Sequence, residues 1–263
     1  MAAATARYIE IRNALIRAIE NQEFELHYQP QINLQTGDVI GAEALIRWHR
    51  PGHGLVMPGQ FIDVAEESGL IEPIGRWVLQ TACKQAKAWI DAGLNDFVMA
   101  VNLSAVQLRH GQLQADVRQA LSDAQLAAHH LELELTESML IDNANTSLAL
   151  IDEWRETGIR LSIDDFGTGY SSLAYLKTLK VHKLKIDRTF VVGILKDPAD
   201  LAIVKSIIDL CRGLELVTIA EGIDDPDIAA TLKNLGCNEA QGFYYAKGLP
   251  ADEFMNWYEA RRT

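Results

Sequence analysis

Short apolar runs typical of buried strands recur along the chain, separated by segments with helical periodicity. The helical pattern is clearest at residues 145–154 and 201–211. Strands that alternate with helices indicate βαβ units, because parallel neighbours need a crossover connection. The predicted strands lie at residues 24–31, 39–46, 97–103, 131–135, 159–163, 181–186, 216–220 and 238–243.

The number of runs and the length of the chain together predict the fold class. Eight strands within 263 residues suit an α/β (β/α)₈ TIM-like barrel, which typically takes about 250 residues. The turn at residues 35–38 joins the first two runs and is too short for a helical crossover. We therefore expect an antiparallel first strand and a barrel that is irregular at its start.

Polar residues lie near the carboxyl ends of most of these predicted strands. The carboxyl ends form the active face of such barrels, so we expect these side chains to converge on one mouth. Carboxylate and amide oxygens without a nearby histidine or cysteine favour magnesium, manganese or calcium. The polar residues are Glu43, Asn102, Glu134, Asp164, Asp165, Lys185, Asp187, Glu221 and Gln241.

The adjacent carboxylates Asp164 and Asp165 are the strongest local signal for a cation. Two neighbouring anionic side chains at the end of a strand repel each other unless a cation lies between them. The alternative is that Asp165 caps the next helix while Asp164 is solvated.

The composition limits the classes of function. The net charge is −12 and no run of basic residues occurs, so we expect no binding of long nucleic acid. A small anionic ligand stays compatible if metal ions and a few cations neutralise the acidic mouth. Cys83, Cys211 and Cys237 are odd in number and scattered, which is typical of reduced thiols in a cytosolic protein.

The amino-terminal segment predicts a helix and no membrane anchor. The apolar runs are too short for a membrane span, and no signal peptide is recognisable, so we expect no membrane contact by this chain. Residues 6–20 predict an amphipathic helix. It is either the remnant of a connector from an upstream domain or a helix that closes the barrel floor. We divide the chain into a terminal helix or linker at residues 1–21 and a barrel at residues 22–263.

A series of motifs spans roughly residues 24–257 in one order. These motifs are Tyr28-Gln29-Pro30, Glu43-Ala44-Leu45, Val101-Asn102-Leu103-Ser104, Glu134-Leu135-Thr136-Glu137, Asp164-Asp165-Phe166-Gly167, Lys185-Ile186-Asp187, Ala220-Glu221-Gly222 and Gln241-Gly242. The chain resembles the EAL domain family, the cyclic di-GMP phosphodiesterases of bacterial signalling. A single Glu-Ala-Leu string carries little information, whereas the ordered set is highly specific.

The resemblance implies hydrolysis of one phosphodiester bond of cyclic di-GMP to linear pGpG by a two-metal mechanism. Two Mg²⁺ or Mn²⁺ ions about 4 Å apart would activate a water, while Ca²⁺ is expected to bind without turnover. The implied ligands of the first ion are Glu43, Asn102, Glu134 and Asp164. Those of the second ion are Asp164, Asp165 and Glu221. The implied catalytic residues are Lys185, Glu221 and Asp164, with the general base open between Lys185 and Glu221.

The resemblance also implies contacts to the dinucleotide. Arg47 suits a phosphate oxygen, while ordinary solvation at the rim is the alternative for Arg47 and Gln29. The implied substrate-binding residues are Gln29, Glu43, Leu45, Arg47, Asn102, Lys185, Asp187 and Gln241.

Glu137 has a different implied role, which is to anchor the loop at residues 166–172. Its alternative is to cap the following helix at Ser138. The glycines Gly167 and Gly169 make that loop mobile. The resemblance further implies a homodimer, and the placement of this loop between the site and an interface motivates that expectation.

One position departs from the family pattern. The usual Glu-Gly-Val-Glu string reads Glu221-Gly222-Ile223-Asp224, so the second acid is one methylene shorter. If that acid orients a water, the shorter arm is expected to slow turnover without abolishing it.

Two other functions stay open at this point. The first is a receptor module that binds cyclic di-GMP without cleaving it, against which the intact acids argue. The second is a barrel enzyme that abstracts a proton beside a carboxylate, with Lys183 or Lys185 as the base. For the location we expect the cytoplasm, alone or as the cytoplasmic part of a larger membrane-anchored protein with an upstream sensor or cyclase-type domain.

Overall fold

The fold is a closed barrel of strands surrounded by helices. The computed structural model describes residues 2–109, 111–142, 144–167, 176 and 179–262. The strands of these residues are β1 (Phe24–Asn33), β2 (Val39–Arg50), β3 (Gly54–Val56), β4 (Val98–Asn102), β5 (Leu131–Thr136), β6 (Arg160–Phe166), β7 (Lys183–Ile186), β8 (Val217–Ala220) and β9 (Glu239–Ala240). Their hydrogen-bonded order is β1-β9-β8-β7-β6-β5-β4-β2, and pairing of β1 with β2 closes the ring. The predicted (β/α)₈ barrel is therefore confirmed.

The first two strands form the predicted antiparallel hairpin. Gln29 lies opposite Glu43 in this hairpin, and Gln31 lies opposite Gly41. β1 also pairs antiparallel with β9, whereas the neighbours from β2 through β4 to β9 pair in parallel. The mouth of the described barrel therefore collects the carboxyl ends of the parallel strands and the amino end of β1.

Two strands differ from the sequence prediction. β3 pairs with the end of β2 outside the ring, and three residues are too few to produce a recognisable pattern. β9 is shorter than the predicted run at 238–243, because the chain turns after Gln241. At Gly242 a Cβ atom would lie 2.1 Å from the backbone oxygen of Ile223, so only glycine permits this close approach.

Helices cover the outside of the barrel, and three of those described begin at aspartate caps, which are Asp187, Asp197 and Asp225. Asp197 accepts a hydrogen bond from the Ala199 amide at 2.8 Å, and Asp225 accepts one from the Asp227 amide at 2.7 Å. The helices of the described residues are α1 (Ala2–Glu20), α2 (Ile62–Glu67), α3 (Ile71–Asp91), α4 (Ala105–Arg109), α5 (Leu113–Ala124), α6 (Glu137–Asp142), α7 (Ala144–Glu156), α8 (Arg188–Val191), α9 (Pro198–Gly213), α10 (Pro226–Leu235) and α11 (Ala251–Arg262). The predicted helices at 145–154 and 201–211 lie within α7 and α9.

The helix α1 lies on the mouth side of the barrel. It leads into β1, whose first residue, Phe24, pairs with Trp48 near the carboxyl end of β2. Arg50, at the end of β2, places Nη2 2.6 Å from Glu10 Oε1 of this helix. A helix that closes the floor is therefore wrong, because the antiparallel β1 starts at the mouth. The division between residues 21 and 22 stays a prediction.

An aromatic cluster joins the C-terminal helix α11 to the opposite end of the barrel. Phe254 is fully buried and stacks on Trp89, with ring centroids 4.5 Å apart. Phe97 packs edge-on against Trp89 at 5.4 Å and against Phe254 at 6.1 Å. Since Phe97 immediately precedes β4, the cluster lies at the amino ends of the parallel strands, away from the mouth.

Candidate active site

Inward-facing side chains form two layers in the barrel. Alternate residues of a strand share one face, so each strand places one residue in a lower layer and another, two positions nearer the mouth, in an upper layer. The lower layer consists of Gln31, Gly41, Ala100, Glu132, Ser162, Lys183, Ile219 and Glu239. The upper layer consists of Gln29, Glu43, Asn102, Glu134, Asp164, Lys185, Glu221 and Gln241.

Lys185 is the centre of the upper layer. Its ammonium lies 2.5 Å from Glu134 Oε2, 2.8 Å from Glu221 Oε1 and 3.2 Å from Asp164 Oδ2. Glu43 Oε2 lies 3.7 Å away. The structure therefore brings together all four of these predicted acids around one buried cation, and an Asp164 that is merely solvated is excluded.

Burial and mutual repulsion shift the ionisation of this cluster. Burial raises the pKa of Glu134 well above its usual value, although the Lys185 ammonium acts in the opposite direction. Burial also raises the pKa of Glu221, to about 7. Burial disfavours the charge on Lys185, but the surrounding carboxylates outweigh it and raise the pKa of Lys185 well above its usual value. The carboxylates outnumber the ammonium, so further positive charge stabilises the site.

The donor set fits a hard divalent cation. Asn102 Nδ2 donates to Glu43 Oε1 at 2.6 Å, which aligns an amide with the carboxylates. Glu134 Oε1 is buried and accepts no hydrogen bond within the described residues, which leaves one oxygen ready for a cation. Within the described residues, no three His, Cys, Asp or Glu side chains are arranged so that they could hold a metal ion as they stand. The acids of the upper layer instead contact the Lys185 ammonium. All available ligands are oxygens, as magnesium and manganese prefer.

Asp165 departs from ordinary strand geometry. The pairing of β6 with β7 breaks register between Ile163 and Phe166, and Asp165 has a left-handed φ of 56°. Burial raises the pKa of Asp165, and the neighbouring charge of Asp164 adds to the shift. The proposed cap of a following helix falls on residues 168–175, which lie outside the described residues.

Several predicted substrate contacts lie in or beside the upper layer. Gln29 accepts a hydrogen bond from Gln241 at 3.1 Å and donates one to the Ala246 carbonyl at 3.1 Å. Arg47 is buried and donates to the Ile46 carbonyl. Because Gln29 and Arg47 are both buried, ordinary rim solvation does not explain them.

Two other predicted substrate contacts, Leu45 and Asp187, lie at a separate cavity and at a helix cap. Leu45 is half-buried and lines a cavity of about 210 Å³ between β2 and α3, together with Asn102. Asp187 caps α8 by accepting from the Thr189 amide at 2.9 Å. The cap explains the position of Asp187 without a ligand, and its contact to a substrate stays a prediction.

Glu137 is buried at the first turn of α6. Within the described residues, neither of its carboxylate oxygens has a hydrogen-bond partner. Most of the loop that it was expected to anchor lies outside the described residues, so the anchoring role stays a prediction.

A cavity of about 220 Å³ opens above the upper layer. Its wall includes Gly222 and Asp224, which belong to a sequence motif, and adds Arg188 and Phe243, which the sequence patterns did not single out. Gly222 has a φ of +66°, and a Cβ atom there would lie 2.2 Å from Arg188 Cγ. Arg188 directly follows a predicted site residue, and this adjacency was the available signal.

The lower layer contains a second buried ionic cluster that the sequence patterns missed. Lys183 Nζ lies 2.8 Å from Glu239 Oε2 and 3.0 Å from Glu132 Oε2. Its pKa is raised because these carboxylates outweigh the effect of burial. Lys183 and Lys185 therefore both stay protonated, which argues against either as the base of a proton-abstracting enzyme. The sequence could have indicated this layer, because its residues lie two positions along each strand from the predicted site residues.

Fold and site define a (β/α)₈ barrel protein with an acidic centre at its mouth. The model of the EAL domain family matches residues 12–248, so the chain belongs to the EAL domain family. Within the described residues, no helix has the length and apolar character that a membrane span requires.

Relatives of known name support this assignment. The bifunctional diguanylate cyclase/cyclic di-GMP phosphodiesterase MucR of Pseudomonas aeruginosa is 44% identical over 255 residues, which are 97% of this chain and 37% of MucR. The cyclic di-GMP phosphodiesterase PdeR of Escherichia coli is 40% identical over 252 residues, 96% of this chain and 38% of PdeR. The chain thus spans little more than a third of the length of these relatives.

Solved structures match over most of the barrel. The PaMucR phosphodiesterase in its c-di-GMP complex has a TM-score of 0.91 and 45% identity, covering 93% of this chain and 99% of that one. The EAL domain of Mycobacterium smegmatis DcpA has a TM-score of 0.75 and 34% identity, covering 90% of this chain and 96% of that one.

Proposed function

We propose that this chain hydrolyses one phosphodiester bond of cyclic di-GMP to linear pGpG. The observation that carries the proposal is the convergence of Glu43, Glu134, Asp164 and Glu221 on the buried Lys185. MucR and PdeR are named as cyclic di-GMP phosphodiesterases, which supports the same chemistry for the domain that this chain shares with them.

Two divalent ions, Mg²⁺ or Mn²⁺, are the proposed cofactors. Glu43, Asn102, Glu134 and Asp164 would hold one ion, and Asp164, Asp165 and Glu221 would hold the other. Bound there, the ions would lower the pKa of a water molecule and neutralise charge on the phosphoryl oxygens. The excess of carboxylates over ammonium in the upper layer supports this requirement for added cations.

The proposed roles of the protein groups follow from their protonation. Lys185 stays charged among the carboxylates and is therefore suited to orient a water or a phosphoryl oxygen, not to accept a proton. Glu221, which lies 2.8 Å from the Lys185 ammonium, is the proposed proton acceptor. Asp164 contacts Lys185 and is the ligand proposed to be shared between the ions.

The dinucleotide is proposed to lie across the mouth. Arg47 would meet a phosphate oxygen, and Gln29, Leu45 and Asp187 would contact the ligand beside the metal ligands. Gln241, already bonded to Gln29 and Glu43, would hold the polar groups at the centre.

The decisive experiment is product analysis by chromatography. The pure chain is incubated with cyclic di-GMP and Mg²⁺ or Mn²⁺, beside a chelated sample and a Ca²⁺ sample. We expect pGpG with Mg²⁺ or Mn²⁺, and intact dinucleotide in the other two. The variant Glu134→Gln, which keeps the shape but removes the charge of a proposed ligand, should lose the product. The variant Thr218→Val removes a buried hydrogen bond to Asn238 outside the proposed site and controls for general destabilisation.

Binding of cyclic di-GMP without cleavage is the outcome that contradicts this proposal. Cyclic di-GMP that binds with metal present but stays intact would overturn the hydrolase and identify a receptor module.

A homodimer is proposed as the working assembly, and an upstream sensor or cyclase-type domain as its regulatory partner. The support for the second is that MucR and PdeR extend well beyond the matched region. Sedimentation velocity with and without cyclic di-GMP should give the mass of two chains. A single-chain mass under both conditions contradicts the dimer.

A further inference from the structure

A series of hydrogen-bonded amide side chains connects the two layers of the barrel. Gln31 belongs to the lower layer, is 1% exposed and lies opposite Gly41 in the hairpin. Its Oε1 lies 3.4 Å from Lys183 Nζ, and its Nε2 donates to Gln241 Oε1 at 3.2 Å. Gln31 therefore bridges the lower ionic cluster and the candidate metal site.

At the lower end of this series of amides, only one orientation of the Gln31 side chain satisfies Lys183. An ammonium group donates three hydrogen bonds and accepts none. Among the described residues, Lys183 Nζ has three polar partners, which are Glu132, Glu239 and the carbonyl oxygen of Gln31. The oxygen of Gln31 must therefore face Lys183, so its NH₂ group faces Gln241.

At the upper end, the orientation of the Gln241 amide agrees with that of Gln31. An ionised carboxylate accepts hydrogen bonds and donates none. Gln241 Nε2 donates to Glu43 Oε2 at 2.5 Å and to Gln29 Oε1 at 3.1 Å. If the Gln241 amide were reversed, its oxygen would face the acceptors on Glu43 and Gln29.

We propose that Gln31 is a positioning residue for the metal site, a role that rests on the proposed function. With its own orientation set by Lys183, Gln31 keeps Gln241 turned so that its NH₂ group holds the Glu43 carboxylate. Glu43 then presents its other oxygen, Oε1, on the side of Asn102, where the proposed first ion binds. Partners behind a metal ligand govern the orientation and the affinity of that ligand.

The test measures Mn²⁺ binding by calorimetry without any dinucleotide. Loss of a group that supports a metal ligand typically weakens metal binding about 10- to 100-fold, and Gln31 lies one residue further out. We therefore expect Gln31→Met to raise the Kd for Mn²⁺ by about three- to tenfold at unchanged stoichiometry. The variant Thr218→Val also loses a buried hydrogen bond and should leave the Kd for Mn²⁺ unchanged.

A double-mutant cycle tests whether Gln31 acts through Gln241. In the Gln241→Met background, Gln31→Met should produce no further rise in the Kd for Mn²⁺. Additive effects would overturn the transmission through Gln241. An unchanged Kd in Gln31→Met, with only a lower melting temperature as in Thr218→Val, would reduce Gln31 to a structural role.

Two further measurements complete the test. If Gln31→Met does not fold, Gln31→Asn keeps an amide but shortens its reach, and the same rise in Kd is expected. A wild-type chain that binds no Mn²⁺ would overturn the proposed metal site together with this role. A wild-type chain that binds Mn²⁺ but leaves cyclic di-GMP intact would overturn the hydrolase alone.

Discussion

Single residues in the upper layer have roles set by the charges around them. Lys185 faces Glu43, Glu134, Asp164 and Glu221 at the same time, so these acids share one ammonium. Removal of one acid changes the number of oxygen ligands and also the balance of charge. Predictions at this scale therefore concern metal dependence and rate more than folding.

The variant Glu43→Ala should lose metal-dependent hydrolysis. Glu43 accepts hydrogen bonds from Asn102 and Gln241, and both partners lose their acceptor in the variant. We expect the initial rate at limiting Mg²⁺ to fall at least about 100-fold, the upper effect of disturbing a ligand's surroundings. Full activity at limiting Mg²⁺ would refute the assignment of Glu43 as a ligand.

The variant Asp224→Glu should increase turnover. Asp224 lines the cavity above the upper layer and is one methylene shorter than the acid usual in the family. A restored hydrogen bond worth about 0.5–1.5 kcal/mol corresponds to a rise in kcat of about two- to tenfold. Steady-state kinetics at saturating metal measures this. An unchanged kcat means that the length of this acid does not limit the reaction.

At the scale of elements, the strands bring the polar groups together and the loops decide which further residues join them. Gln29 and Glu43 meet because the hairpin sets their register, and Gly222 admits Arg188 to the cavity wall because it lacks a side chain. The helices mainly contribute stability, through buried faces and capped ends.

The variant Asp197→Ala should destabilise the protein without changing its chemistry. Its side chain caps α9 at the Ala199 amide, and loss of such a cap costs about 1 kcal/mol of unfolding free energy. Urea denaturation gives this difference. The matched control is Asp209→Ala on the same helix, because its exposed pair with Arg212 contributes less than about 0.5 kcal/mol. Equal losses in the two variants would contradict the capping role.

At the scale of the whole molecule, the two ends of the barrel have separate tasks. The mouth gathers charge around Lys185, whereas the opposite end is sealed by the aromatic cluster of Trp89, Phe97 and Phe254. Stability and chemistry should therefore respond to different substitutions.

The variant Phe254→Ala should lower the free energy of unfolding by about 3–5 kcal/mol, the usual loss for a buried phenylalanine. Phe254→Leu keeps most of the volume and should lose less. Chemical denaturation measures both variants, and calorimetry should find an unchanged Kd for Mn²⁺ in the folded protein. Weakened Mn²⁺ binding in Phe254→Ala would show that the two ends are coupled.

Much of the fold followed from local patterns, and the exceptions have physical reasons. The hairpin was predictable because a four-residue turn excludes a crossover. The strand β3 was not, because three residues carry no period. The floor position for α1 was wrong because the antiparallel β1 starts at the mouth, so the helix that precedes it lies there as well. The ion pairs of Lys183 and the buried position of Gln31 escaped notice because an isolated polar residue in a strand has no local signature of an inward-facing ion pair.

The sequence by itself determined the eight strands of the ring, the barrel class, the family and the identity of the acids at the mouth, because each depends on local spacing and side-chain chemistry. Only the tertiary structure decided that Lys185 contacts the four acids and that Gln31 links the two layers. These contacts join residues far apart in the chain, such as Gln31 and Gln241, and exist only after β1 closes the ring between β9 and β2. Ring closure depends on the register of every strand pair, which no single segment specifies.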